Sequence, residues 1–149
     1  EQIIENLKRG YPGLSRWQDT VKRQAAARHY SETWLGRRRY LPGISSQDWG
    51  KRSFAERCAL NTPIQGTAAD ILKLALGRLL QGLPERPWLR PLLQIHDELV
   101  FELPEARLEE AIRFVRGCME AQPFPDFDVP ILAEAAAGEN FGDMAEVDG

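Results

Sequence analysis

Apolar residues recur every three or four positions over three stretches of this chain, and this spacing predicts helices. The first predicted helix covers residues 14–28, after a break at Gly10-Tyr11-Pro12-Gly13, and residues 1–9 read as the end of an earlier helix. Its apolar face consists of Leu14, Trp17, Val21 and Ala25.

A longer helical pattern covers residues 51–80, and a third helix is predicted over residues 104–121. Pro63 lies within the longer pattern, where its missing N–H and its ring should kink or break the helix. The apolar stripe after this break consists of Ala68, Ile71, Leu72, Ala75, Leu76 and Leu79. The apolar face of the third helix consists of Leu108, Ile112, Val115 and Met119.

Two stretches favour β-hairpins. Residues 30–43 carry two short β-prone runs around Gly36, and a polar loop is predicted over residues 45–50. In the second stretch, two apolar runs flank three ionisable residues, and we expect burial of Leu92, Leu93, Ile95, Leu99, Val100 and Phe101. A last strand is predicted near residues 129–137. Strands and helices mix without βαβ alternation, which favours an α+β fold with a small antiparallel sheet packed on helices.

The composition indicates one ordinary soluble domain. The chain has 149 residues, with 43% hydrophobic and 28% charged residues. It contains no run of eighteen apolar residues, and its first ten residues lack the apolar segment of a signal peptide. Cys58 and Cys118 are isolated. We therefore expect reduced thiols in a cytosolic protein.

Charge is distributed unevenly along the chain. Residues 1–60 carry 12 Lys and Arg against 6 Asp and Glu, whereas residues 61–149 carry 7 against 16. A basic half and an acidic half would suit a protein that holds a polyanion on one side and cations on the other. Chance differences between solvated helix faces explain the same pattern.

The ionisable residues His96, Asp97 and Glu98 are expected at the tip of the second hairpin. A carboxylate at such a tip is exposed enough to ionise and held firmly enough to bind a hard cation. One carboxylate suffices for a weak Mg²⁺ site only when substrate phosphates supply other ligands. The alternative is a solvated turn, since turns commonly contain Asp.

Three polar residues, Arg57, Asn61 and Gln65, follow one another at intervals of four and share one helix face. Their donors and acceptors suit the minor groove of a nucleic acid, where the base acceptors are similar in all pairs. Two structural alternatives remain. The row forms a solvated polar face, or the Asn satisfies backbone groups that Pro63 leaves unpaired.

Two blocks, ERCALNTPIQGTAADILKLAL at residues 56–76 and LLQIHDELVFELP at residues 92–104, together resemble the C-terminal part of family A DNA polymerases, the bacterial DNA polymerase I type. Their order and the gap between them agree with that family. YSETWLGRRRYLP at residues 30–42 resembles the family's upstream hairpin, and GENF at residues 138–141 resembles its usual ending. The resemblance covers nearly the whole chain.

This resemblance implies a role for each candidate residue. Asp97 would bind the catalytic divalent metals, Glu98 would support that site, and His96 would lie near the primer end. Arg57, Asn61 and Gln65 would contact the primer–template minor groove and the template near the insertion site. Two Mg²⁺ ions would serve as cofactors, with primer–template DNA and dNTPs as partners.

The resemblance also implies a partial polymerase palm with a piece of the fingers, and a cytoplasmic, nucleoid-associated protein. Residues 1–50 would adjoin the fingers, and residues 51–149 would form the C-terminal palm with the His-Asp-Glu hairpin.

The chain departs from the family in two motifs. It contains no Asp-Tyr-Ser-type strand, which carries the family's other metal-binding carboxylate, and no fingers helix with its Arg, Lys and Tyr. We therefore expect a C-terminal fragment of a larger DNA-dependent DNA polymerase, with an incomplete two-metal site and no activity alone. Without the missing palm, fingers and thumb, uncovered apolar surface should promote self-association. The alternatives are one half of a split polymerase, and a noncatalytic nucleic-acid-binding or interaction module.

Overall fold

The structure is a computed structural model that describes residues 5–6 and 9–147. It divides into two compact units, Glu1–Asp70 and Ile71–Gly149. The described residues form helices and three separate two-stranded antiparallel sheets, as expected for an α+β fold. The helix predicted over residues 1–9 lies largely outside the described residues. The predicted division at residue 50 follows the family's regions, and it stays a prediction.

Two helices and the segment that follows the first hairpin form the core of the first unit. Helix α1 covers Pro12–Arg28 and helix α2 covers Trp49–Asn61. Helix α2 begins inside the predicted polar loop, because the Asp48 carboxylate accepts a hydrogen bond of 3.1 Å from the Lys51 N–H and caps the helix. On α1, Leu14 is exposed and Ala25 is buried, so only part of the predicted face enters the core. The core consists of Ala25, Leu41, Ile44, Ala55, Cys58 and Ala59.

The predicted first hairpin is confirmed. Strand β1 at Tyr30–Glu32 pairs antiparallel with strand β2 at Arg38–Tyr40. Gly36 lies in the connecting turn with a φ of 79°, a left-handed value that glycine adopts without steric cost.

The predicted break at Pro63 is confirmed as well, and it takes the form of a π-helical turn over Thr62–Gly66. Helix α3, at Thr67–Gly82, follows this turn. Because Pro63 has no N–H, the Ala59 carbonyl loses the partner that a continuous α-helix would provide. The buried Ser31 hydroxyl of β1 donates to this carbonyl over 2.8 Å. The break in the helix therefore creates an acceptor that attaches the first hairpin.

The second unit contains the rest of α3, a hairpin and a helix. Strand β3 at Arg90–Ile95 pairs antiparallel with strand β4 at Glu98–Glu102. Helix α4 covers Leu108–Glu120. The remaining elements are short 3₁₀ turns at Leu83–Glu85 and Glu105–Arg107, strand β5 at Ala136–Ala137 and strand β6 at Ala145–Glu146.

Arg78 of α3 fixes the end of α4. Its guanidinium donates to the carbonyls of Cys118, Ala121 and Gln122 over 3.2, 3.1 and 3.0 Å. The last carbonyls of a helix have no partners within the helix. The Arg78 side chain therefore provides donors for carbonyls at the end of α4 and just after it.

Two expectations for the second unit are wrong. Of the six apolar residues expected to be buried in the second hairpin, Leu92 and Leu93 are 53% and 56% exposed, because no segment among the described residues covers that part of the hairpin. The other four are half-buried, namely Ile95, Leu99, Val100 and Phe101. The strand predicted near residues 129–137 shrinks to Ala136–Ala137, since only these two residues find a partner strand, β6. Within the described ranges, no helix combines the length and the apolar character needed to cross a bilayer.

Candidate functional site

A groove of about 190 Å³ opens between the first hairpin and the π-helical turn. Asn61 and Gln65 line it on the helical side, where the sequence predicted a row of nucleic-acid contacts. Both side chains are exposed, and no side-chain hydrogen bond involves either of them among the described residues. The lining is completed by Thr33, Arg37, Arg38, Arg39, Thr62 and Gly66.

Arg57, the third member of the predicted row, does not line this groove. It lies one helical turn before Asn61, where its guanidinium donates to the Ser53 hydroxyl over 2.9 Å. It also lies 6.0 Å from the centre of the Phe54 ring. The side chain is exposed, so these contacts leave it accessible to a ligand.

A buried carboxylate holds the hairpin against α3. Asp70 is 1% exposed, and its Oδ2 accepts a hydrogen bond of 2.5 Å from the Thr33 hydroxyl. Its Oδ1 forms an ion pair with the Arg37 guanidinium. The Trp34 backbone N–H donates to the Thr67 hydroxyl over 3.0 Å. Gly66 allows this approach, because a Cβ there would lie 2.5 Å from the Thr33 Cγ2 atom.

The three consecutive arginines differ in their surroundings. Arg37 pairs with Asp70, whereas Arg38 lies 3.4 Å from Glu32 and 4.5 Å from the centre of the Tyr30 ring. The pKa of Arg38 is raised, first by Tyr30 and then by Glu32. Arg39 lines the groove, and among the described residues no hydrogen bond or ion pair involves its side chain.

The second candidate site is the tip of the second hairpin. His96 and Asp97 form its two-residue turn, whereas Glu98 is the first residue of β4 and pairs with Ile95. The prediction that all three ionisable residues occupy the tip is therefore wrong for Glu98, because the ladder extends one residue further than expected.

His96 adopts a φ of 55°. Tight two-residue hairpin turns require such a left-handed value, and His is, with Asn and Asp, one of the residues other than Gly that adopt it more readily. The Gln94 amide donates to the His96 carbonyl over 3.4 Å. The turn places the exposed Asp97 directly before the exposed Glu98, the first residue of β4.

The donors at this turn match Mg²⁺ in chemistry but not in number. Carboxylate oxygens are the ligands that Mg²⁺ prefers, and the ion takes about six oxygens. Among residues 5–6 and 9–147, no group of three or more His, Cys, Asp or Glu side chains is arranged to hold a metal ion. Asp97 and Glu98 could therefore contribute to a site that other ligands complete.

Sequence reasoning missed Asp70, Thr33 and Gly66, which shape the groove. A signal for Asp70 was present, because it is an acid between apolar residues in the stripe that starts at Ala68. A buried carboxylate needs a partner of opposite charge or several hydrogen bonds. The partners Thr33 and Arg37 precede it by 37 and 33 positions, so the sequence alone could not identify them.

Comparison with known proteins identifies relatives along most of the chain. The model of DNA polymerase family A matches residues 1–143. DNA polymerase I of Bacillus caldotenax is 46% identical over 120 residues, which cover 80% of this chain and 14% of the relative. The thermostable DNA polymerase I of Thermus filiformis is 40% identical over 146 residues, which cover 95% of this chain and 17% of that protein.

A solved structure agrees with these sequences. The POL domain of Pol1 from M. smegmatis, in complex with DNA primer–template and dNTP, superposes with a TM-score of 0.78 at 41% identity. The match covers 85% of this chain and 22% of that chain. This chain thus spans less than a quarter of the proteins it resembles. On the family match and the identity of these relatives, the chain belongs to DNA polymerase family A.

Proposed function

We propose that this chain supplies a DNA-holding surface and one metal-binding carboxylate to a DNA-dependent DNA polymerase. One observation carries the proposal. The groove presents the side chains of Asn61, Gln65 and Arg39 without side-chain hydrogen bonds or ion pairs among the described residues, in a chain 41% identical to a polymerase domain solved with primer–template.

The groove has the chemistry to hold a duplex without reading its sequence. The Asn61 and Gln65 amides each provide donors and acceptors, which suit the minor-groove acceptors that all base pairs share. Arg39 and Arg57 carry fixed positive charge that suits backbone phosphates, and such contacts position a duplex. Together these side chains would hold the primer–template and test the shape of its base pairs.

The turn at His96 and Asp97 would serve the chemical step. Asp97 would hold the divalent metal, Glu98 would support it, and His96 would lie near the primer end. When bound, Mg²⁺ would stabilise negative charge on the attacking oxygen of the primer and on the leaving oxygen of the pyrophosphate. Because Asp97 and Glu98 provide too few oxygens, dNTP phosphates and carboxylates from outside the described residues would complete the ligand set.

DNA binding by the 149-residue chain tests the first half of the proposal. We expect a labelled primer–template duplex to bind, and Asn61→Ala and Gln65→Ala each to weaken binding by roughly 0.5–1.5 kcal/mol. Arg57→Ala should weaken DNA binding more than either of these, and part of that loss should depend on the salt concentration. Gln24→Ala, an exposed position on α1, is the matched control and should have no effect. Unchanged DNA binding in all three of these variants would show that Arg57, Asn61 and Gln65 form only a solvated helix face.

A chimera tests the second half. The chain replaces the matching segment of the M. smegmatis Pol1 POL domain, and single-turnover dNTP incorporation is measured together with DNA affinity. Asp97→Asn keeps the shape but removes the charge, so incorporation should fall by orders of magnitude while DNA affinity changes little. The same substitution at the exposed Asp126 is the control. Normal incorporation by the Asp97→Asn chimera would exclude the assignment of the metal to Asp97.

A noncatalytic nucleic-acid-binding module is the second candidate. It is favoured by one contrast, since the groove residues all lie in one unit while the described residues provide an incomplete metal ligand set. A chimera that binds DNA without incorporating dNTPs would support this candidate over the polymerase.

A further inference from the structure

We propose that Asp70 is a positioning residue of the DNA interface, which holds Arg37 and thereby orients Arg39 toward nucleic-acid phosphates. The inference deepens the proposed function and rests on it. Asp70 itself would not touch DNA, because its side chain is buried.

The Asp70 carboxylate is buried and depends on two partners from the first hairpin. A buried carboxylate is costly unless it is paired and hydrogen-bonded, and at 1% exposure Asp70 has little access to water. The two side chains that satisfy it, Thr33 and Arg37, come from the two ends of one hairpin turn. The Thr33 hydroxyl also accepts the Arg37 backbone N–H over 3.2 Å. The conformation of residues 33–37 therefore depends on Asp70.

The register of strand β2, which follows the turn, determines the direction of the Arg39 side chain. Arg39 lies directly opposite Ser31 in the β1–β2 ladder, so both side chains lie on the same face. The Ser31 hydroxyl donates to the Ala59 carbonyl, which identifies this face as the one toward α2. Arg38 also borders the groove, but its guanidinium lies on the opposite face of the ladder, over the Tyr30 ring. Fixing Arg37 therefore determines which of the next two arginines faces the helical side.

The three arginines Arg37, Arg38 and Arg39 differ in how far nearby carboxylates neutralise their charge. Asp70 neutralises Arg37, and Glu32 partly neutralises Arg38. Arg39 keeps its full charge in the groove beside Asn61 and Gln65. In this arrangement Arg37 fixes the hairpin, and Arg39 provides the phosphate contact.

Electrostatics and positioning predict opposite effects for Asp70→Asn. If Asp70 acted only through its charge, removing that charge would strengthen the binding of a polyanion. If Asp70 positions Arg39, the variant should lose one phosphate contact and bind DNA more weakly. The sign of the change therefore separates the two roles.

The experiment measures the affinity of the 149-residue chain for a labelled primer–template duplex over a series of salt concentrations. Arg39→Ala should reduce the slope of log affinity against log salt by about 0.9, the value of one phosphate contact on a duplex. Asp70→Asn should reduce the slope by the same amount. The double variant should show no further loss, because the contact is already absent.

Two further variants make the test independent of general destabilisation. Cys58→Ala weakens the core of the first unit without changing the hairpin, and it should keep the original slope. Thr33→Val removes the hydroxyl that bonds Asp70 and the Arg37 N–H, and it should lower the slope in the same direction as Asp70→Asn. If Asp70→Asn fails to fold, an unchanged slope for Thr33→Val overturns the proposal.

Hydrogen exchange gives a second readout without DNA. In Asp70→Asn the amides of Trp34 and Arg37 should exchange faster, while those of α2 keep their protection. Additive slope losses in the double variant, or an unchanged or steeper slope in Asp70→Asn, would overturn the inference alone. Absence of DNA binding by the unsubstituted chain would overturn the proposed function, and the inference with it.

Discussion

At the scale of single residues, Ser31 of β1 attaches the first hairpin to helix α2 through one hydrogen bond. The Ala59 carbonyl, which Pro63 leaves without a helical donor, receives its hydrogen bond from Ser31, 28 positions away. From the sequence, Asn61 was a candidate to satisfy such groups. Asn61 instead remains exposed in the groove, where it is available to a ligand.

We expect Ser31→Ala to lower the free energy of unfolding by about 1–3 kcal/mol, because it leaves a buried carbonyl without a donor. Urea unfolding followed by circular dichroism measures this change. Ser45→Ala provides the control, since Ser45 is exposed, and it should change stability by less than about 0.5 kcal/mol. Equal effects of the two substitutions would show that the Ser31 hydroxyl contributes nothing.

Cys118 provides a pH-dependent prediction. Burial raises the pKa of its thiol, and the nearby Arg78 and Arg86 oppose this only in part. The folded state therefore favours the neutral thiol. This contribution to stability is complete below the thiol's ordinary pKa and is lost as the pH rises through the folded value.

The rate of alkylation of Cys118 by iodoacetamide, followed by mass spectrometry, should reach its midpoint at a higher pH in the folded chain than in urea. The unfolded chain supplies the reference for the same thiol. Coinciding midpoints would contradict the raised pKa, whatever the difference in absolute rate.

At the scale of elements, the groove depends on how closely the first hairpin approaches the π-helical turn. Gly66 permits that approach, whereas a Cβ at Gly77 of α3 would meet no atom within 4 Å apart from those of its chain neighbours and its own helix backbone. The two glycines thus allow a matched comparison of the same substitution with and without a steric conflict.

Gly66→Ala should destabilise the chain by about 1–3 kcal/mol, because the added methyl group must displace Thr33. Gly77→Ala should stabilise it by about 0.5–1 kcal/mol, since Ala restricts the unfolded chain and favours the helix. Thermal or urea unfolding of both variants measures the difference. A stabilising Gly66→Ala would show that the hairpin can move away from the helix without cost.

The elements differ in how well the sequence predicted them. The first hairpin and the break at Pro63 follow from local chemistry, namely the turn at Gly36 and the missing proline N–H, so their prediction was reliable. The exposure of Leu92 and Leu93 could not be predicted, because burial depends on which segment covers a strand. The contacts of Asp70 with Thr33 and Arg37 could not be predicted for a similar reason, since contacts across more than thirty positions leave no local pattern in the sequence.

At the scale of the whole molecule, the charge asymmetry of the sequence follows the two units. Residues 1–70 carry 12 Lys and Arg against 7 Asp and Glu, and residues 71–149 carry 7 against 15. The groove proposed to hold DNA lies in the basic unit, and the turn proposed to hold a metal lies in the acidic unit. Each unit thus has the charge that its proposed ligand requires.

The second unit also presents an apolar groove of about 220 Å³. Among the residues that line it, Leu80, Leu92 and Leu93 are more than half exposed, at 64%, 53% and 56%. An apolar concavity of this kind on a free surface attracts other apolar groups. The chain spans at most 22% of the solved relative, and other parts of such a protein could cover this surface.

We therefore expect the 149-residue chain to bind the dye ANS and to self-associate in a concentration-dependent manner, because association removes these leucines from water. Leu80→Lys introduces a charge at the groove and should reduce both dye fluorescence and the fraction of oligomer in analytical ultracentrifugation. Leu132→Lys is the matched control, since Leu132 is 84% exposed and does not line the groove. A monodisperse monomer without dye binding would contradict the prediction, and it would favour a self-contained module over an uncovered part of a polymerase.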